Sequence, residues 1–158
     1  MSSATPPRHA LPRHARIWAR VAPGDFLDCY SIATPLPARA ALELALRSPA
    51  WAAALLKLRD TLVRPLGLKT AGHTAGHTSG LAGTGGFPVE YEDAEEIIVG
   101  MDDSHLDFRI TVLKHDGRVH IATWVHRNNA LGRLYLALVI PFHNMILRSA
   151  LRRIAAQG

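Results

Sequence analysis

The apolar positions of the chain change period along its length, and the changes mark the elements. "DFLDCYSIA", Asp25 to Ala33, alternates loosely and carries aromatic and β-branched residues, which predicts a first strand. Ala38 to Arg47 then reads as a helix. Ser48 offers an N-cap and Pro49 a first-turn residue, so a second helix restarts there. Its Trp51, Leu55, Leu58 and Leu62 form one apolar stripe, with Lys57, Asp60 and Arg64 on the other side. Pro65 and Gly67 end it.

Further along, the period returns to two. "EEIIVGMD", "HLDFRITVLK" and "RVHIATWVHR" predict three antiparallel strands separated by Asp103-Ser104 and Asp116-Gly117, the latter a strong hairpin-turn signal. With two-residue loops at both turns, Met101 faces Leu106, Val99 faces Phe108 and Ile97 faces Ile110 across the first hairpin. Across the second, Phe108 faces Val125, Ile110 faces Thr123 and Val112 faces Ile121. These residues share one face, because side chains alternate. On the other face Asp107 meets His126, Arg109 meets Trp124, His105 meets Asn128 and Leu113 meets His120. That face reads as a solvated outer surface whose cross-strand pairs contribute roughly 0.2–1 kcal/mol each. The sharper reading is a polar site built from Asp107, Arg109, Trp124 and His126.

"ALGRLYLALVIPFHNMILRSALRRIA" predicts a long final helix. Leu131, Leu134, Tyr135, Leu138, Phe142, Met145 and Ile146 form one stripe, extended by Leu136, Val139 and Leu147, against a narrow polar strip of Arg133, Asn144 and Arg148. So wide an apolar face predicts a largely enclosed helix. Pro141 removes a backbone hydrogen bond within it and should kink it.

Two segments fall outside these periods. Residues 1–20, rich in Pro, Arg, His and Ala, read as a mobile basic arm ordered at most near its end, before one domain spanning 21–155. "TAGHTAGHTSGLAGTGG", residues 70–86, reads as a flexible connector. His73 and His77 suit a metal only on a helix, and Gly72, Gly76 and Gly80 oppose one. No lysine follows the glycines as a phosphate loop requires. The expectation is therefore no metal and no cofactor.

Composition narrows the picture. A chain of 158 residues, 48% hydrophobic and 20% charged, supports one domain with a sizeable core. The net charge of +5 suits an anionic partner or a lipid surface. Nucleic acid is not expected, because the basic residues lack interleaved aromatics and form no known module. The single cysteine, Cys29, excludes an intrachain disulfide and reads as a small buried hydrophobe. The N-terminus lacks the apolar core of a secretory signal, and the run Leu134 to Phe142 is shorter than the roughly 20 residues of a membrane span. A cytoplasmic location is expected, with no membrane span and at most a weak surface association.

At "HLDFR" (His105–Arg109) and "NNALGRLYLALVIPFH" (Asn128–His143) the chain resembles a bacterial family of uncharacterised domains in the START-like (SRPBCC) helix-grip superfamily. "LVRPLGLK", "GFPV" and "DDSHLDFR" lie where that family has similar words, and the resemblance extends from about Asp25 to Arg153. It implies an α+β helix-grip fold: a strand, two short helices, then antiparallel strands wrapped around a long C-terminal helix. A cavity between sheet and helix would take a small apolar or lipid-like ligand.

The residues expected to line it are Phe108, Ile110, Val125, Tyr135, Leu138, Phe142 and His143. Each has a structural reading beside the functional one: His143 as a hydrogen-bonded core histidine, Tyr135 as packing, Arg133 as a partner for carboxylates or carbonyls at the sheet end. An enzyme of the cyclase or hydrolase type would draw on His143, Tyr135 and Arg133. A protein-interaction module would instead need an exposed apolar patch around Trp124. The basic tail of Arg148, Arg152 and Arg153 reads as a solvated helix end. Ligand identity and oligomeric state are not legible.

Overall fold

A computed structural model describes residues 11–47, 87–102 and 105–158. Strand β1 (Phe26–Ala33) is followed by helix α1 (Ala38–Leu46), strands β2 (Val89–Glu92), β3 (Glu96–Asp102), β4 (Leu106–His115) and β5 (Arg118–Arg127), and helix α2 (Ala130–Gln157). The second helix expected from Ser48, and the connector at 70–86, lie outside the described residues.

The strands form one open antiparallel sheet in the order β1-β5-β4-β3-β2. The first strand is therefore added to the edge of the last. The architecture is α+β, a five-stranded antiparallel sheet with a long C-terminal helix, the arrangement expected of a helix grip.

The β4–β5 hairpin follows the anticipated register, with Phe108 opposite Val125, Ile110 opposite Thr123 and Val112 opposite Ile121. Its turn places Asp116 at φ 50 and Gly117 at φ 69. Both are left-handed, which is the reason for an Asp-Gly pair there. The β3–β4 register differs by two residues: Met101 pairs with Phe108, Val99 with Ile110 and Ile97 with Val112, and the last pair is Asp102 with Asp107. A two-residue slip returns every side chain to the same face, so face burial alone could not exclude it. Strand β2 was not anticipated; it is a short edge strand with a register irregularity between Val89 and Tyr91.

One face of the sheet carries the main core. Tyr30, Ile97, Val99, Val112, Val119 and Ile121 pack against Ala38, Ala41 and Leu42 of α1 and against Leu147, Leu151 and Ile154 of α2. Ala38, Ala41 and Leu42 stand three and four residues apart on one helix face. Arg153 donates to Leu44 O at 2.9 Å and Ala45 O at 3.0 Å, which satisfies carbonyls at the α1 C-terminus. It is therefore no part of a solvated tail, whereas Arg148 and Arg152 are exposed.

The opposite face is not a solvated surface. Residues 11–20 lie against it, with a short 3-10 helix at Arg16–Ala19. Leu11, Ala15 and Ile17 pack on Cys29, Ile98, Leu113, Ala122 and Trp124 as a second core. The buried carboxylate of Glu96 accepts from Arg16 N, at 3.1 and 3.2 Å, and from Thr111 Oγ1 at 2.8 Å. The Arg16 guanidinium sits 3.9 Å over the Tyr91 ring, a cation–π contact.

Helix α2 is less enclosed than its composition suggested. Leu136, Leu147, Ala150, Leu151 and Ile154 are buried, but Leu134, Leu138, Phe142 and Met145 are exposed, Leu138 at 64%. The apolar residues of its first half surround the helix, and the sheet covers only one side. Pro141 lies within a continuous helical span. By length and composition α2 could cross a membrane, a reading the Leu134–Phe142 run alone did not reach. In this fold its C-terminal half is built into the core beside α1.

Candidate functional site

Along the inner face of the sheet the side chains are mostly apolar, Asp28 and Thr123 being the buried polar exceptions, but burial is uneven. At the end under α1 and the C-terminal half of α2, Ile97, Val99, Val112, Val119 and Ile121 are fully buried. At the other end Phe26, Met101, Phe108 and Ile110 are only half-buried, as are Tyr135 and Val139 of α2. The register explains this grouping: Phe26 and Phe108 flank Val125 on its two sides, and Met101 continues the row. Phe87 packs edge-on against Phe108 with ring centroids 5.2 Å apart. The half-covered end is the part of the inner face with apolar surface left to offer.

A polar pair marks the boundary between the two ends. Asp28 points to the inner face, opposite Thr123 and between Phe26 and Tyr30. Its side chain is 1% exposed, and Oδ2 accepts from His143 Nε2 of α2 at 3.1 Å. Asp28 Oδ1 has no hydrogen-bond partner among the described residues. The Phe26 ring lies edge-on to the His143 imidazole, centroids 6.3 Å apart. Two residues further along the strand, Tyr30 donates to Asn144 Oδ1 at 3.4 Å, so adjacent residues of α2 meet alternate residues of β1. Chemically the pair holds a carboxylate and an imidazole in a mostly apolar setting, with His143 21% exposed. With Nε2 engaged, Nδ1 is the nitrogen left for a ligand or a proton.

The expected lining residues divide. Phe108, Ile110, Val125, Tyr135 and His143 lie buried or half-buried, with Phe108, Ile110 and Val125 clustered on β4 and β5. Leu138 and Phe142 are exposed on the opposite side of α2. Among the catalytic candidates, His143 has its carboxylate partner, Tyr135 is half-buried and Arg133 is exposed. Asp28 was missed. Its signal was parity: in the alternating stretch it shares the face of Phe26, Tyr30 and Ile32, where an acid is out of place.

The outer-face candidates are structural in their contacts. Arg109 is buried and pairs with Asp102 at 2.8 Å and with Glu90, which also takes Arg20 at 2.5 Å. Burial pushes the Glu90 carboxyl up, but Arg109 and Arg20 outweigh it and hold it below its ordinary value. Trp124 Nε1 donates to Asp25 Oδ2 at 2.9 Å, and His126 Nδ1 to Asp25 Oδ1 at 2.6 Å. Asp107 accepts from Asn128 Nδ2 at 3.3 Å. These contacts fasten the N-terminal segment and the edge strand to the sheet. Trp124 is 5% exposed, so the patch that an interaction module needed there does not exist. Burial, with Asp28 adding to it, pushes the Cys29 thiol up to about 12, which removes it as a nucleophile. No group of three or more His, Cys, Asp or Glu side chains among the described residues could hold a metal ion.

A family model described as "Protein of unknown function (DUF2867)" matches residues 20–150. The chain belongs to the DUF2867 family. The match runs from the end of the N-terminal 3-10 helix through the buried Ala150 of α2, so it takes in Asp28, His143 and the whole inner face. Comparison with curated proteins and with solved structures returns no match.

Proposed function

We propose that this DUF2867 domain is a START-like helix-grip module that binds a small, mainly apolar or lipid-like molecule between the inner face of the sheet and α2. The observation that carries the reading is the uneven burial of a mainly apolar face. Phe26, Met101, Phe108 and Ile110 keep exposed apolar surface beside a helix that is itself apolar on that side. Binding sites for small molecules combine such surfaces with a few placed polar groups. Asp28 and His143 supply those groups.

The test is uptake of naphthalene, followed by ligand-detected NMR. Ile110→Trp should fill the half-covered end and abolish uptake with the fold intact. Leu138→Ser, on the exposed side of α2, should leave uptake unchanged. Equal uptake by wild type and Ile110→Trp would remove the basis of the proposal.

A second reading, acid–base catalysis on the bound molecule, is favoured by the Asp28–His143 hydrogen bond alone. It requires His143→Ala to abolish turnover of a substrate that the variant still binds.

A further inference from the structure

An ionised carboxylate presents two oxygens, and burying one without a partner carries a substantial desolvation cost. Asp28 is in that position. Its side chain is 1% exposed, His143 satisfies Oδ2 at 3.1 Å, and Oδ1 has no partner among the described residues. The surroundings on the inner face offer little help. Phe26 and Tyr30 flank Asp28 along β1, and the Tyr30 hydroxyl is directed to Asn144. Thr123 stands opposite, flanked on β5 by Ile121 and Val125 and backed by Ile110 on β4. An ordered water at Oδ1 would need roughly two to four polar partners. Thr123 and His143 are the candidates on these elements, and His143 Nε2 is already engaged.

We infer that Asp28 Oδ1 is the recognition point for the ligand's own hydrogen-bond donor, so that the domain selects apolar molecules carrying a hydroxyl or amine over those carrying none. The inference rests on the binding reading above and specifies its substrate class. The apolar body lies on Phe26, Phe108 and Ile110, and the O–H or N–H end reaches Asp28 at the boundary with the sealed core. His143 is a positioning residue here: its hydrogen bond to Oδ2 holds the carboxylate and leaves Oδ1 unpaired for the ligand's donor, which has to part the side chains that now cover that oxygen. A ligand with a carboxylate end is rejected, because it would set like charge against Asp28.

Matched probes test this on the full-length chain. The pairs are 1-naphthol with 1-methoxynaphthalene, 2-naphthol with 2-methoxynaphthalene, and 1-decanol with 1-methoxynonane; decylamine and decanoic acid complete the set. Each donor-bearing member should bind about tenfold tighter or more than its methyl ether, the range set by a hydrogen bond to a charged group. Decylamine should bind and decanoic acid should not. In Asp28→Leu the preference should collapse to near parity while the ethers still bind. Asp28→Asn, which keeps the shape, should reduce it and serves if the leucine variant does not fold. If ethers and alcohols bind wild type equally, Oδ1 is not a recognition point and the inference is overturned while the binding reading stands. If no probe binds at all, both fall together.

Discussion

His143 Nε2 donates to Asp28 Oδ2 at 3.1 Å, tying the C-terminal helix to the first strand of the sheet. The bond crosses 115 positions of sequence and lies where the inner face passes from sealed to half-covered. Removing either partner has unequal consequences. His143→Leu leaves a buried carboxylate with neither oxygen paired and should destabilise the fold by about 2 kcal/mol. Asp28→Leu combined with His143→Leu should recover most of that loss, because an apolar pair suits the face. Urea unfolding of both variants measures it, and a double variant weaker than the single one would contradict the account.

The start of α2 depends on one cap and one glycine. Asn129 accepts from Gly132 N at 3.0 Å, and Asn129→Ala should cost about 1 kcal/mol. Gly132→Ala should cost more, since its Cβ would stand 2.0 Å from His105 O of the backbone. Thermal unfolding ranks the two.

Asp25 makes stability pH-dependent. Burial pushes its carboxyl up, but the N–H groups of Ala22, His126 and Trp124 outweigh burial and hold it below the ordinary value of 3.8. A depressed folded-state value means that the stabilisation is complete above 3.8 and fades as pH falls through the folded value. Asp25→Asn should therefore be less stable than wild type at neutral pH, with the gap narrowing in strong acid. Unfolding midpoints across the acid range check the sign.

Cys29 should be inert in the folded protein. With its thiol pushed up to about 12 by burial, iodoacetamide at neutral pH should label it only after denaturant is added.

Much of the fold was legible because it rests on period. The alternation in β4 and β5 and the Asp116-Gly117 turn fixed one hairpin to the residue, since the turn type requires left-handed residues there. The neighbouring hairpin lacked such a turn signal, and its two-residue shift left the burial pattern unchanged. Strand β2 was too short and irregular to register as a period.

The outer face was misread for a different reason. Asp107, Arg109, Trp124 and His126 look polar as a set, and local pattern cannot show that residues 11–25 return to pack on Trp124 and that Asp25 bonds both Trp124 and His126. The partners Glu90 and Glu96 lie far from Arg20 and Arg16 in sequence. The breadth of the apolar surface on α2 was readable, but which side met the sheet was not, so Leu138 and Phe142 were placed inside and are exposed. His143 was found as an imidazole in an apolar helix. Asp28 could have been found by asking which face of β1 its neighbours occupy.

The central claim is that the half-covered end of the inner face holds an apolar ligand. Methyl and aromatic NMR spectra of the labelled protein, titrated with 1-naphthol, test it most directly. The account predicts saturable shifts at Phe26, Met101, Phe108 and Ile110, with Val112, Val119 and Ile121 at the sealed end nearly still. Shifts confined to Leu134, Leu138 and Met145 on the exposed side of α2, or no saturable shifts, would contradict it.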